Sequence, residues 1–147
     1  MSTSSLSIGI IANPKKYEVK AVFETALSWA ETKKVKLIVS KAICELLLPE
    51  ESPNLTLTET DEETVQQADI IVVMGGDGTI LYTARISKDN PKPVLGVNSG
   101  RLGFMTNTQN EDLLEALEQV RTGNYTLDRR HFLKAVDKSG NEFYALN

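Results

Sequence analysis

Five consecutive apolar residues, Ile70 to Met74, run directly into the glycine-rich segment Gly75-Gly76-Asp77-Gly78-Thr79. An apolar run without polar alternation predicts a strand that is covered on both faces, as in parallel sheets with helices on either side. A run of glycines at the end of such a strand predicts a tight loop. This stretch therefore places a glycine loop with a single carboxylate where a buried strand ends.

The rest of the chain alternates short apolar runs with segments of helical periodicity. Further strands are predicted at residues 6–12, 35–40 and 93–98. Helices are predicted at residues 15–34, 41–48, 61–68, after Thr79 and at 111–123. Residues 50–60 are predicted as loop, with an extended conformation left open for 55–57. Tyr17 and Trp29 are expected to pack within the first helix.

Alternation of strands and helices predicts an α/β domain with a doubly wound, Rossmann-like parallel sheet over residues 1–123. The pattern changes at Asn124, where two extended runs flank the polar segment 137–141, which is a hairpin signal. No helix follows, and residues 143–147 have the pattern of a strand that is cut short. Residues 124–147 are therefore predicted to begin a truncated, β-rich second domain.

Composition restricts the classes of partner. The net charge of −4 and the pI near 5.1 argue against a nucleic-acid partner, whose binding surface would be basic. Cys44 and His131 are the only cysteine and the only histidine, so neither a disulfide framework nor a Cys/His metal cluster is expected. A single cysteine favours a cytoplasmic location, and the apolar runs are too short for a signal peptide or a membrane span.

The glycine loop has two interpretations. Glycines permit φ > 0 and close backbone approach to phosphate, while Asp77 is the strong proton acceptor of the loop and Thr79 opens a helix whose N-terminus favours anions. Alternatively, Asp77 or Thr79 caps the helix and the glycines relieve a sharp turn. A second glycine cluster, residues 99–104, also follows a predicted strand. Because ligands gather beyond the carboxyl ends of parallel strands, two such loops favour a ligand site.

Four segments in this order, IGIIANPKK, GGDGTIL, GVNSGRLGF and ALN, resemble the NAD kinase family over nearly the whole chain. GGDGT also occurs in diacylglycerol and sphingosine kinases, and a close variant occurs in 6-phosphofructokinases. Those lipid kinases carry a Gly-Thr-Gly-Asn-Asp-type segment where this chain has GVNSGRLGF. The resemblance implies ATP-dependent phosphorylation of the 2′-hydroxyl of the adenosine ribose of NAD, giving NADP. A non-catalytic nucleotide-binding module and another GGDGT-type kinase remain the alternatives.

The resemblance also implies roles for individual residues. Asp77 would act on the ribose hydroxyl, and Gly78, Phe104 and Asn147 would contact NAD with it. For Phe104, a role as a core anchor stays open. Tyr82 stands where many family members have Arg or His, which puts a charged contact there in doubt. Two later parts of the family's NAD site have no counterpart in these 147 residues, so this chain alone is expected to be inactive.

Phosphate contacts are expected from the loop residues Gly75, Gly76, Gly78 and Thr79. Asn13, with Lys15 or Lys16, follows the first strand and is placed to approach the same phosphates. Arg101 in the second glycine cluster is a further candidate, with a surface position as the alternative. Triphosphate charge calls for Mg²⁺, although no protein side chain is assigned as its ligand. The expected partners are NAD and ATP, and a homo-oligomer is expected.

Overall fold

The computed structural model describes residues 5–47, 52–101, 103–106 and 108–146. The strands are β1 (Ser7–Ala12), β2 (Lys36–Ser40), β3 (Leu55–Thr58), β4 (Ile70–Gly75), β5 (Val94–Asn98), β6 (Thr108–Gln109), β7 (Phe132–Val136) and β8 (Glu142–Leu146). The helices are α1 (Val19–Lys33), α2 (Lys41–Leu47), α3 (Asp61–Gln67), α4 (Asp77–Ile86) and α5 (Leu113–Thr122), with a short 3₁₀ helix at Asn110–Asp112.

Six strands form one parallel sheet in the order β3-β2-β1-β4-β5-β6. The register is fixed at its centre, where Ile10 of β1 lies between Val39 of β2 and Val72 of β4. The chain first builds outward from β1 through β2 to β3 and then returns to the other side of β1 with β4. The predicted doubly wound, Rossmann-like fold is confirmed.

Two hydrophobic clusters cover the two faces of this sheet, because alternate residues of a strand point to opposite sides. Ile10 and Val72 belong to the cluster that packs under α1, α2 and α5, whereas Ile71 and Val73 belong to the cluster under α3 and α4. Every residue of β4 is buried, as its uninterrupted apolar sequence predicts. Complete burial of one large side chain such as Phe23 contributes about 1.5–3 kcal/mol.

The first helix begins at Val19, later than the start at residue 15 that the sequence predicts. Two consecutive turns precede it, in which Lys16 N donates to the Asn13 carbonyl and Val19 N donates to the Lys16 carbonyl. The prediction that Tyr17 packs within the helix is wrong, since its side chain precedes α1 and is 93% exposed. Trp29 is buried in α1, as predicted.

The structure also resolves an open prediction at β3, moves the boundary between β4 and α4, and adds the strand β6. β3 is a regular strand of the sheet, so the extended conformation left open for residues 55–57 is present. β4 continues through Gly75, and α4 begins at Asp77 rather than after Thr79. β6 was not predicted, because two residues are too short for a periodicity signal.

The hairpin predicted around residues 137–141 is confirmed. β7 and β8 are antiparallel, and the Asp137 carboxylate closes the turn by accepting hydrogen bonds from the Ser139 and Asn141 amides. Residues 124–131, which the sequence suggested as extended, are exposed and outside the strands. The ammonium of Lys88, which follows α4, lies 4.1 Å from the centre of the Tyr144 ring in β8. A domain boundary at residue 123 stays a prediction.

Candidate active site

A cavity of about 460 Å³ opens beyond the carboxyl ends of β1 and β4. Its lining residues come from the loops after these two strands and from α4: Ala12, Asn13, Pro14, Lys16, Gly76, Asp77, Gly78, Thr79 and Tyr82. The strand order reverses between β1 and β4, and in open α/β sheets the crevice at such a switch point is where ligands bind. The topology therefore brings the segments Asn13–Lys16 and Gly76–Thr79 together.

The glycines of this loop provide space rather than an unusual backbone conformation. A Cβ built at Gly75 would lie 2.5 Å from Thr79 Oγ1, and one at Gly76 would lie 2.9 Å from Lys16 Nζ. Gly76 itself is extended, with φ −138°, so it does not use the φ > 0 that glycine permits. Close packing therefore requires glycine most clearly at Gly75, where Thr79 Oγ1 and Cβ fill the space, whereas the Lys16 side chain beside Gly76 is flexible and a Cβ at Gly78 would meet open space.

The N-terminus of α4 faces the loop without a side-chain cap. Gly76 is the N-cap residue, and its carbonyl accepts hydrogen bonds from the Thr79 and Ile80 amides. Neither Asp77 nor Thr79 caps the helix, so the interpretation of GGDGT as a capped turn is wrong. The uncapped amides of a first turn carry the positive end of the helix dipole and favour an anion.

The Asp77 carboxylate is held by the second glycine cluster. Its Oδ2 accepts a hydrogen bond from Phe104 N, and its Oδ1 accepts one from Met105 N, each at 3.0 Å. The side chain lies in the first turn of α4 and is half-buried. The sequence expectation that both glycine-bearing loops reach one edge of the sheet is confirmed for Asp77 and residues 103–104, whereas Leu102 lies outside the described residues.

Lys16 is a cation that the sequence could not distinguish from Lys15. Its side chain crosses the glycine loop, where Nζ donates a hydrogen bond to the Ser99 carbonyl at 3.3 Å. Lys16 is half-buried and lines the cavity, whereas Lys15 is exposed. The turn at residues 13–16 makes this difference, and no pattern in the sequence indicates it.

Tyr82 closes one side of the cavity as a neutral phenol. Its hydroxyl donates a hydrogen bond to Asp61 Oδ2 at 2.9 Å. Burial, reinforced by the Asp61 carboxylate, raises the pKa of Tyr82 to about 12. This wall of the cavity therefore carries no positive charge at the position where Arg or His was considered.

The other candidate residues lie elsewhere. Arg101 is exposed and is not part of the cavity lining, and Asn147 lies outside the described residues. The Phe104 side chain is fully exposed, which excludes a core anchor, and it lines a second cavity of about 700 Å³ beside α4. His131 is exposed and lies just before β7. The functional roles of these residues stay predictions.

Neither a membrane-spanning helix nor a metal-binding cluster is present among the described residues. Within them, no helix combines the length and apolar character that crossing a bilayer requires. No group of three or more His, Cys, Asp or Glu side chains in the same ranges is arranged to hold a metal ion.

Relatives that are named NAD kinase match most of the chain. NAD kinase of Heliobacterium modesticaldum is 34% identical over 145 residues, which is 96% of this chain and 49% of the relative. NAD kinase of Methanothermobacter thermautotrophicus is 36% identical over 128 residues, covering 87% of this chain and 43% of the relative. The chain thus spans about half the length of the curated relatives it matches.

Solved structures share the fold at low sequence identity. Yeast NADH kinase, solved in complex with NADH, has a TM-score of 0.81 at 18% identity over 97% of this chain and 46% of its own. An NAD kinase from Archaeoglobus fulgidus, solved in complex with ATP, has a TM-score of 0.52 at 21% identity over 88% of this chain and 41% of its own.

A sequence model of the ATP-NAD kinase N-terminal domain matches residues 8–125. These residues include β1 from Ile8 onward, all elements from α1 through α5, both glycine clusters and every described residue that lines the cavity beyond β1 and β4. With this match and relatives above 30% identity over most of its length, the chain belongs to the ATP-NAD kinase family.

Proposed function

We propose that the protein transfers a phosphoryl group from ATP to the 2′-hydroxyl of the adenosine ribose of NAD, giving NADP. The observation that carries the proposal is the position of Asp77, whose carboxylate lies at the switch point of the sheet between the glycine loop and the Phe104 turn. Family membership supports the choice of reaction. Phosphoryl transfer depends on positioning, charge stabilisation and a group that orients the attacking hydroxyl, and this arrangement offers all three.

The ATP phosphates would occupy the cavity beyond β1 and β4. Its wall combines the uncapped N-terminus of α4, the glycine loop and the Lys16 ammonium, which together favour an anion. Gly75, Gly76, Gly78 and Thr79 would provide close backbone approach, and Asn13 would bound the site from the β1 side. Arg101 is exposed and does not line the cavity. In this proposal its long cationic side chain would reach the phosphates from outside the cavity. The archaeal relative's complex with ATP supports a triphosphate site in this fold.

NAD would approach from the other side of Asp77. Gly78 is exposed at the start of α4, and the Phe104 side chain is free to stack on an aromatic base beside the second cavity. Asn147 is assigned to the same substrate. The yeast relative's complex with NADH supports a dinucleotide site in this fold. A carboxylate between the two sites would accept a hydrogen bond from the ribose hydroxyl and align it with the γ-phosphorus.

Mg²⁺ would be bound mainly by the ATP phosphates and water rather than by a set of protein side chains. Among the residues that the structure describes, Asp77 is the only carboxylate that lines the cavity, and Mg²⁺ commonly uses phosphate oxygens and waters with one or two carboxylates. The ion would neutralise charge on the triphosphate. Cytoplasmic location and a homo-oligomeric state also belong to this proposal, the first because a single cysteine fits a reducing compartment.

In the test, the full-length native protein is incubated with ATP, Mg²⁺ and NAD, and NADP is detected with an NADP-specific dehydrogenase. NADP is expected to form with NAD, and no phosphoryl transfer is expected to 2′-deoxy-NAD, which lacks the acceptor hydroxyl. Binding of both ligands without turnover would favour a non-catalytic nucleotide-binding module. Phosphorylation of diacylglycerol or sphingosine instead of NAD would favour a lipid kinase.

A further inference from the structure

We propose that Gly103 is a positioning residue for Asp77, because its missing side chain lets two consecutive backbone amides hold both carboxylate oxygens. The inference rests on the proposed function, in which this carboxylate orients the acceptor hydroxyl. It adds a role for the turn formed by residues 103–106, which supplies a fixed hydrogen-bonding frame for the carboxylate.

The space at Gly103 is filled by the Asp77 carboxylate. A Cβ at Gly103 would lie 2.3 Å from Oδ1, 2.8 Å from Cγ and 2.9 Å from Oδ2 of Asp77. Any of these distances is shorter than a normal contact, and all three involve the same carboxylate. The described glycines with left-handed φ are Gly100, Gly123 and Gly140. Gly103 is not one of them, so its backbone accommodates an L-residue and only the approach of Asp77 requires glycine.

The two hydrogen bonds fix the plane of the carboxylate. Phe104 N donates to Oδ2 and Met105 N donates to Oδ1, so each oxygen has one amide partner. Hydrogen bonds to an ionised acceptor are short and strong, and a pair of them on two oxygens restricts rotation about the bond to the carboxyl group. The remaining lone pairs are then presented in one orientation. Such alignment matters because a displacement of about 1 Å can cost about 10²-fold in rate.

A buried hydroxyl closes the same turn. Gly103 N donates to Thr106 Oγ1 at 3.3 Å, and Thr106 is 3% exposed. The Thr106 side chain also packs near Gly96 of β5, where a Cβ would lie 3.2 Å from Thr106 Cγ2. The turn is therefore packed against the sheet. A substitution at Thr106 offers a second way to alter the geometry of the turn.

The first experiment follows the hydrogen bonds without an activity assay. In the complete protein with ¹⁵N-labelled Phe and Met, the amide proton shifts of Phe104 and Met105 are expected to follow the ionisation of Asp77 in a pH titration. Asp77→Asn should abolish that response, and Gly103→Ala should abolish or strongly reduce it for at least one amide. An unchanged response in Gly103→Ala would overturn the proposal even if the protein proves to be no kinase.

The second experiment tests the functional consequence with a double-mutant cycle. Gly103→Ala is expected to lower kcat by about 10- to 100-fold and to change the KM for ATP by less than about twofold. In an Asp77→Asn background, Gly103→Ala should cause little further loss, since the carboxylate it positions is already gone. The same fractional loss in both backgrounds would show that Gly103 acts independently of Asp77 and would overturn the proposal.

Thr106 variants distinguish a loss of positioning from a loss of folding stability. Thr106→Val removes the oxygen that accepts from Gly103 N, whereas Thr106→Ser keeps it. We expect kcat to fall in Thr106→Val and to be closer to wild type in Thr106→Ser, with thermal unfolding recorded for each. Equal kcat values for the two variants would contradict a positioning role for this turn.

Discussion

Among the described residues, Lys16 is the cationic side chain that lines the proposed phosphate cavity, and its ammonium lies beside Gly76. We expect Lys16→Met to raise the KM for ATP by about 10- to 100-fold, because a hydrogen bond to a charged group contributes about 1.5–3 kcal/mol. Lys15→Met is the matched control, since Lys15 is adjacent in sequence but exposed. Steady-state kinetics with varied ATP would measure both. Equal effects of the two substitutions would contradict the assignment of Lys16.

For individual residues, the sequence predicted that Asp77 belongs to the site, but not which groups surround its carboxylate. The glycine loop identified Asp77 as its one carboxylate, and the second cluster indicated that Phe104 would come to the same edge. The contacts of Gly103 and Lys16 depend on distances between segments far apart in the chain. Such distances arise from packing, and no local pattern encodes them.

The N-terminus of α3 is fixed by a local capping arrangement. Thr60 is the N-cap, its Oγ1 accepts from Glu63 N at 3.2 Å, and Glu63 Oε2 accepts from Glu59 N at 2.9 Å. Thr60→Ala should therefore lower the free energy of unfolding by about 1 kcal/mol, measured by urea denaturation. Thr60→Ser keeps the acceptor oxygen and should lose much less. A loss in Thr60→Ser as large as in Thr60→Ala would show that the hydroxyl does not cap the helix.

Helices α1 and α5 meet at one carboxylate on the side of the sheet opposite α4. Glu118 Oε1 accepts from Trp29 Nε1 at 2.9 Å, and Glu118 also forms ion pairs with Arg121 and Lys33. Hydrogen bonding to Arg121, followed by that to Trp29, lowers the pKa of Glu118 to about 2 from its usual 4.5. The folded protein thus holds this carboxylate ionised at a pH where the unfolded chain protonates it.

This lowered pKa predicts a pH-dependent contribution to stability. The contribution is fully present above about pH 4.5 and is lost as the pH falls towards about 2. Glu118→Gln should therefore destabilise the protein near neutral pH, and its difference from wild type should shrink on acidification. Urea denaturation at several pH values would measure this. Glu115→Gln on the same helix is the control, and a Glu118→Gln difference that is independent of pH would contradict the linkage.

Elements were predictable where burial leaves a clear apolar pattern in the sequence. β4 follows from its uninterrupted apolar run, and α5 follows from the helical spacing of Leu113, Leu117 and Val120. The start of α1 was misplaced because residues 13–19 form two hydrogen-bonded turns, which no sequence pattern distinguishes from the first turns of a helix. β6 was missed because its two residues are a strand only through pairing with β5.

For the whole molecule, alternation of strands and helices predicts the fold class, whereas the strand order comes only from the structure. The order β3-β2-β1-β4-β5-β6 makes β1 and β4 neighbours although α1 through α3 separate them in the chain. That neighbourhood joins the loop after β1 to the glycine loop and creates the cavity. The sequence indicated that the strand-end loops share one edge and that Asn13 is placed near the same phosphates, but it did not show that β1 and β4 are neighbours in the sheet.

The central claim is that this arrangement uses Asp77 to orient an acceptor hydroxyl for phosphoryl transfer. Its most direct test is the single-turnover rate of NADP formation by rapid quench, with the complete wild-type protein and its Asp77→Asn variant at saturating ATP and NAD. The expected loss in the variant is about 10²–10⁴-fold, with the dissociation constant for NAD nearly unchanged. A loss of less than about tenfold, with NAD still bound normally, would contradict the claim.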